Sequence, residues 1–555
     1  MMKNFFRNGS YFLFKKQGNL LSAALILMVT YAGSMVLGIL RERVLVSYFY
    51  SCCKESLDVY YAAFRLPDMI FQLVVIGALS AAFIPVFSEE LIKNESLAYK
   101  ISSSVLSVLL LVYLFLGGLV FIFARQISDL ITGGFTPSQI GLMVNLTRLM
   151  LIAQGFFIIS NFLTAIIQVH QRFIIPAIAP LLYNLGIIII TIIFAPILGI
   201  LAPAVGVIFG AFFHLLIQVP LSIKLGFSYK PIFDYKIQQV REVFRLMLPR
   251  TLGLAVYQLE ATVAVFLATS LSSGSLTIFH LTQRLMDLPV RLFGTSIGQV
   301  SLPLLSSFKA KDDLQSFRET TASSLSEILY LSLPTMAAIL VLRIPLVRIA
   351  YGAKTFPWQA TLLTGRVVAI ISLAIFSQSM VELLVRGFYA LHNTKIPLVI
   401  ATLCVGMNIF LSILFAFKFS LGILGLALAT SISSFWQAFL LTVILEKKLK
   451  GIISKKIFSD WLKMVFSTLI TAIVFWGVMK ILDLFILDTT RTINLLTLTL
   501  ISFSIGIFIY LFLTTNVLGL EEGKKFSGIL KKLRRLKGAL PSSSELIDGS
   551  TDSSA

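Results

Sequence analysis

Charge is scarce in this sequence: Asp, Glu, Lys and Arg together make 13% of its 555 residues, about half the share usual in a soluble domain. With 57% hydrophobic residues and a mean hydropathy of +0.92, that scarcity excludes an ordinary soluble globular protein. Only three cysteines occur, Cys52 and Cys53 side by side and Cys404 alone in an apolar run, which supplies neither a disulfide framework nor a metal-ligand spacing. Four scattered histidines make no metal cluster, so neither a cofactor nor a nucleic-acid partner is expected. The nearest approach to a nucleotide loop, GLEEGKK at 519–525, lacks the four-residue gap of a P-loop, and no ATP-driven engine is expected.

What the chain does have is long apolar runs. A helix needs about 20 apolar residues to cross the hydrocarbon of a bilayer. Segmented on that basis, the chain yields fourteen candidate spans: 19–46, 58–87, 101–124, 141–166, 174–194, 203–221, 246–269, 277–305, 321–347, 361–390, 396–416, 422–445, 464–483 and 493–516. Lys15 and Lys16 before the first run imitate a signal peptide, but similar runs continue to residue 517, so a retained first helix is expected. Lys and Arg test the segmentation, because alternate gaps must lie on opposite sides of the membrane. One side, called even here because it holds both termini, takes the clusters at 224–245, 447–463 and 524–537 and most of the other basic residues between spans. Adding or losing one span would destroy that asymmetry, so an even number of spans with cytoplasmic termini is expected.

The chain also repeats itself. RLPDMIFQLVVIGALSAAFIP (65–85) is echoed some 219 residues later by RLMDLPVRLFGTSIGQVSLP (284–303), and the segment from His170 is echoed by the one from His392 at nearly the same offset. Two pairs at one spacing predict a duplicated six-span unit, and six being even, the halves are parallel repeats about an axis along the membrane normal. The expected domains are an N-lobe (1–225), a C-lobe (226–448), two further spans (449–517) and a basic amphipathic segment with a polar tail (518–555). FSGILKKLRRLKGAL (526–540) suits the anionic face of a bilayer.

Charged residues inside spans are costly and by default mark a site. Arg65 with Asp68, and Arg284 with Asp287, are three apart on one helical face and can pair along it. Arg41 and Glu42 join the first set and Arg291 the second; snorkelling competes for the neighbouring Arg43, while Arg41 is expected to point inward. Glu260 is the carboxylate best placed to balance a cavity arginine, and Glu382 with Arg386 forms an i,i+4 pair in the favourable order. Arginines around a cavity predict an anionic ligand, and planar guanidinium donors suit phosphate. These residues therefore predict a transporter of a phosphorylated substrate, without saying which.

The stretches SMVLGILRE (34–42), DVYYAAFRLPD (58–68), GALSAAFIPVFSE (77–89), QRLMDLPVRLFG (283–294) and GFYALHNTKIP (387–397) together resemble the MurJ (MviN) lipid II flippases of the multidrug/oligosaccharidyl-lipid/polysaccharide exporter superfamily. The resemblance implies an all-α polytopic protein of a V-shaped pair of six-helix lobes plus two C-terminal helices that form a lipid-tail groove. It implies alternating access in a bacterial cytoplasmic membrane, with a polyprenyl-pyrophosphate-linked glycan and membrane lipids as partners. It places substrate-binding positions on Arg41, Arg284, Ser34 and Asp58, with Arg65 compensating for charges missing elsewhere. Met35, Phe71 and Ile76 stand where the family carries charged residues. Other readings are a flippase for a different polyprenyl-linked oligosaccharide, a cation-coupled antiporter, whose cavity would favour Asp58, Glu260 and Glu382, and a transport-inactive scaffold for envelope synthesis.

Overall fold

The computed structural model describes residues 20–76, 82–352, 355–489 and 491–528, and over these it is all helix and connecting turn. The helices are α1 (Leu20–Ala63), α2 (Arg65–Phe71), α3 (Ile84–Lys93), α4 (Glu95–Ile122), α5 (Ala124–Ile131), α6 (Pro137–Val169) and α7 (Ile174–Leu198). Next come α8 (Leu201–Leu216), α9 (Val219–Lys224), α10 (Gln238–Thr269), α11 (Ser275–Pro289), α12 (Ser296–Ala310), α13 (Leu314–Val341) and α14 (Arg343–Tyr351). The last are α15 (Trp358–Ser372), α16 (Ile375–Ala390), α17 (Lys395–Ile413), α18 (Ile423–Leu449), α19 (Lys455–Phe485) and α20 (Thr492–Phe512). Helix is the only open choice for such runs, because a backbone in hydrocarbon must satisfy its own hydrogen bonds.

Among the described residues nine helices are long and apolar enough to cross a membrane, or eleven if two bent pairs each count as one span. They cover the expected spans from 101–124 to 246–269 and from 321–347 to 493–516. Two of the remaining three, 58–87 and 277–305, are those that carry the charged constellation and its breaks, and the third, 19–46, enters α1. The basic segment expected at 526–540 falls mostly outside the described residues, as does the small-residue step at 77–81.

Local chemistry sets the helix ends. Thr136 and Gln139 close a capping box on α6 with Pro137 at its first turn, and Asn94 and Ser454 cap α4 and α19 through their side-chain oxygens. Two such details fall at matching places in the segments that echo each other in sequence. α2 runs into a π-helical turn at Gln72–Ile76 and α11 into one at Val290–Thr295, the same place in the two echoing segments. α6 and α16 both end by bonding backward over a left-handed residue, Gln171 (φ 58°) in one case and His392 (φ 54°) in the other.

The chain divides into two compact units. The larger holds residues 1–288, 347–371 and 398–436, and its closest packing joins α7 to α8. A Cβ on Gly210 would lie 2.5 Å from the Tyr183 carbonyl oxygen, and one on Gly206 would lie 2.9 Å from the Ile187 Cα. Only glycine at both positions of this GxxxG step lets the backbones approach so closely. The smaller unit holds 289–346, 372–397 and 437–555, with α13, α19 and α20 packed around Ala337, Ala338 and Phe475.

Candidate functional site

Arg41 and Glu42 lie on adjacent positions of α1, where a carboxylate 3% exposed needs partners close by. Arg41 Nη2 donates to Glu42 Oε1 at 2.5 Å, Tyr61 donates its hydroxyl to Glu42 Oε2 at 2.6 Å, and His280 Nε2 stands 3.8 Å from Oε1. The imidazole of His280 stacks on the Tyr61 ring with centroids 4.1 Å apart. On its other side Arg41 donates to Asn184 Oδ1 of α7 at 3.2 Å, and the Asn184 amide reaches Ser34 and the Pro180 carbonyl. Arg41 Nε is buried and has no hydrogen-bond partner among the described residues. The GxxxG contact holds the α7 backbone beside Asn184, so tight packing of two helices fixes the direction of one guanidinium.

Arg65 reaches across to α10. Its Nε donates to Thr262 Oγ1 at 2.9 Å and its Nη2 to the Gln258 carbonyl at 2.7 Å and to the Gln258 side chain. Asp68, three positions on along the same helix, stays within electrostatic reach of this guanidinium. Residues 258 and 262 are one turn apart and share a face; Glu260, two positions from each, points elsewhere. Its partner is Asn408 Nδ2 of α17, at 2.5 Å, in a cavity of about 20 Å³ that Ser412 and Thr430 also line. That is room for a single water.

Asp58 is 4% exposed, and both its oxygens are engaged. It accepts from Gly274 N at 2.6 Å, Thr277 N at 2.7 Å and Thr277 Oγ1 at 2.6 Å, and so caps the start of α11. α11 carries His280 and, one turn on, the exposed Arg284, whose charge acts on both Glu42 and Asp68. Asp287 is half-buried further along α11, and Arg291 is exposed in the π-helical turn that follows.

Arg43 does not snorkel: it donates to the carbonyls of Ile349 at 2.5 Å and Gly352 at 2.9 Å, at the C-terminal end of α14. Thr355 Oγ1 donates to the Ser47 carbonyl at 2.7 Å, Tyr50 meets Phe356 edge-on, and Gly133 N donates to Thr269 Oγ1. Together with the Asp58 cap, these contacts tie segments of the two sequence repeats at gaps assigned to the odd side.

In the smaller unit Glu382 and Arg386 pair as spaced, Nη1 to Oε2 at 2.7 Å, with the guanidinium lying over Gly298 of α12. Phe71 joins an aromatic wall with Phe157 and, through it, Tyr183. Met35 is half-buried on α1, and the Ile76 side chain is outside the described set. The sequence reading missed Tyr61, Asn184 and His280. Spacing could have found His280, four positions before Arg284 on one helix, and Tyr61, four before Arg65; nothing local singles out Asn184.

The family model described as lipid II flippase MurJ matches residues 54–495. A probable lipid II flippase MurJ of Vibrio cholerae is 27% identical over 76% of this chain and 82% of its own length. One from Thermotoga maritima is 27% identical over 77% and 84%. A solved lipid II flippase MurJ in an inward closed conformation matches with a TM-score of 0.73 and 25% identity, over 88% of this chain and 98% of that one. An inward-facing multidrug transporter of the MATE family matches with a TM-score of 0.60 at 14% identity, a likeness of fold alone.

Proposed function

The chain belongs to the lipid II flippase MurJ family, and from that premise we propose that it carries lipid II across the cytoplasmic membrane, with Arg41 gripping the pyrophosphate. The family is one of transporters rather than enzymes, so the site binds and releases without breaking a bond. The observation that carries the assignment is Arg41: a largely buried guanidinium held from two sides by Glu42 and Asn184, whose buried Nε–H has no partner among the described residues. A buried donor without a partner costs free energy, which an anionic oxygen recovers. Arg284, exposed one turn from His280, and Arg65, aimed by Gln258 and Thr262, supply the remaining positive charge. Ser34 acts through Asn184, and Asp58 positions α11 without touching the substrate.

Alternating access follows from the same reading. The Arg43, Asp58 and Thr355 contacts are a latch on the outer face; both termini lie in the cytoplasm, and the latch opens once substrate has neutralised the arginines. Complementation of a flippase-depleted bacterium tests this. The wild-type chain rescues growth, and Arg41→Ala and Arg284→Ala, inserted at equal levels, do not. Equal rescue by both variants would remove the pyrophosphate grip while leaving the flippase in place. Failure of a stably inserted wild type, in a host whose own lipid II it can use, would remove lipid II as substrate.

A further inference from the structure

Glu42 is shared. Arg41 and His280 both face its Oε1, the first at 2.5 Å and the second at 3.8 Å, while Tyr61 occupies Oε2. At 3.8 Å a neutral imidazole makes no hydrogen bond to the carboxylate, whereas an imidazolium there makes an ion pair. We infer that His280 is a proton-responsive positioning residue, which on protonation draws Glu42 away from Arg41 and frees that guanidinium for the substrate pyrophosphate. This rests on the assignment of Arg41 as the anion grip.

The surroundings set the direction. Facing His280 are Glu42, Arg41 and Tyr61 of α1, Arg284 on its own helix, and Tyr351 of α14, whose hydroxyl donates to the Leu281 carbonyl beside it. Burial of the imidazole opposes the added proton most, Arg284 and Arg41 oppose it too, and Glu42 favours it. A bound pyrophosphate diester reverses that balance, because its two negative charges face three cations instead of two. Proton uptake and anion binding therefore promote each other, and by linkage each raises the affinity for the other by the same factor. The proton comes from water and returns to it on release, and no bond other than N–H is made or broken. His280 stands on α11, whose start Asp58 of α1 holds, so its link to Glu42 spans the two sequence repeats. Substrate release and loss of this link are thus one event.

The test is binding of a short-chain lipid II analogue, whose pyrophosphate diester keeps both its negative charges throughout, to the full-length protein in detergent from about pH 8.5 to about pH 5.5. The wild type tightens about five-fold or more toward the acid end, and His280→Gln keeps a single affinity across the range. Glu42→Gln, which leaves the imidazole but removes its acceptor, is flat as well and guards against a His280 variant that fails to fold. A flat wild type, or a pH dependence retained in either variant, overturns the inference. Arg41→Ala separates the two layers. If it loses binding at every pH while the wild type is flat, the anion grip stands and His280 falls; if it binds like the wild type, both fall.

Discussion

Asp58 shows how an intramembrane charge can serve the site without entering it. Its two oxygens take three hydrogen bonds from the start of α11. Removing them leaves two buried backbone N–H groups unpaired, each costing about 1–3 kcal/mol. Asp58→Ala is therefore expected to lower thermal stability in detergent clearly, and Asp58→Asn, which keeps one acceptor oxygen, to lower it by less. An alanine variant as stable as the wild type would show that the cap is not made in the membrane. Residue types and spacing made the charged positions legible, and Arg41, Arg65, Asp58 and Arg284 could all be picked out. Their partners were not legible. Arg65 and Asp68 share a helical face, but the guanidinium is long enough to reach Gln258 and Thr262, nearly 200 positions away in sequence.

Among the elements, the α7–α8 contact matters most to the site, because it supplies Asn184 on a backbone that cannot shift. A Cβ at Gly210 meets both the Tyr183 carbonyl and the Tyr183 ring. Gly210→Val is expected to part the helices at a cost of about 1–3 kcal/mol and to abolish rescue although the protein still inserts. Thermal unfolding in detergent beside growth complementation checks both halves, and full rescue by a destabilised variant would uncouple the contact from Arg41. The π-helical turns after α2 and α11 could be expected only as interruptions, from proline and small residues among apolar ones. Their matching positions emerge from the structure, and such turns gather at functional sites.

For the molecule as a whole, the proposed alternating access requires the contacts of Arg43, Asp58 and Thr355 to break. A double variant Ser47→Cys with Thr355→Cys, in a chain whose Cys52 and Cys53 are serine, is expected to stop rescue under oxidation and regain it with reductant. Undiminished transport by the cross-linked protein would show that these segments never separate. The sequence by itself determined that the chain is helical and membrane-embedded, and it carries the uneven spacing of basic residues and the echoing segments from which a topology and a duplication are read. Each follows from hydropathy, charge and repetition, which a bilayer reads locally. Tertiary structure alone decided which charges meet: that Glu42 is shared by Arg41, Tyr61 and His280, that Glu260 turns to Asn408, and that Arg43 holds the end of α14. The physical reason is that a helix fixes the face on which a side chain projects, while its partner comes from whichever distant helix packs against that face.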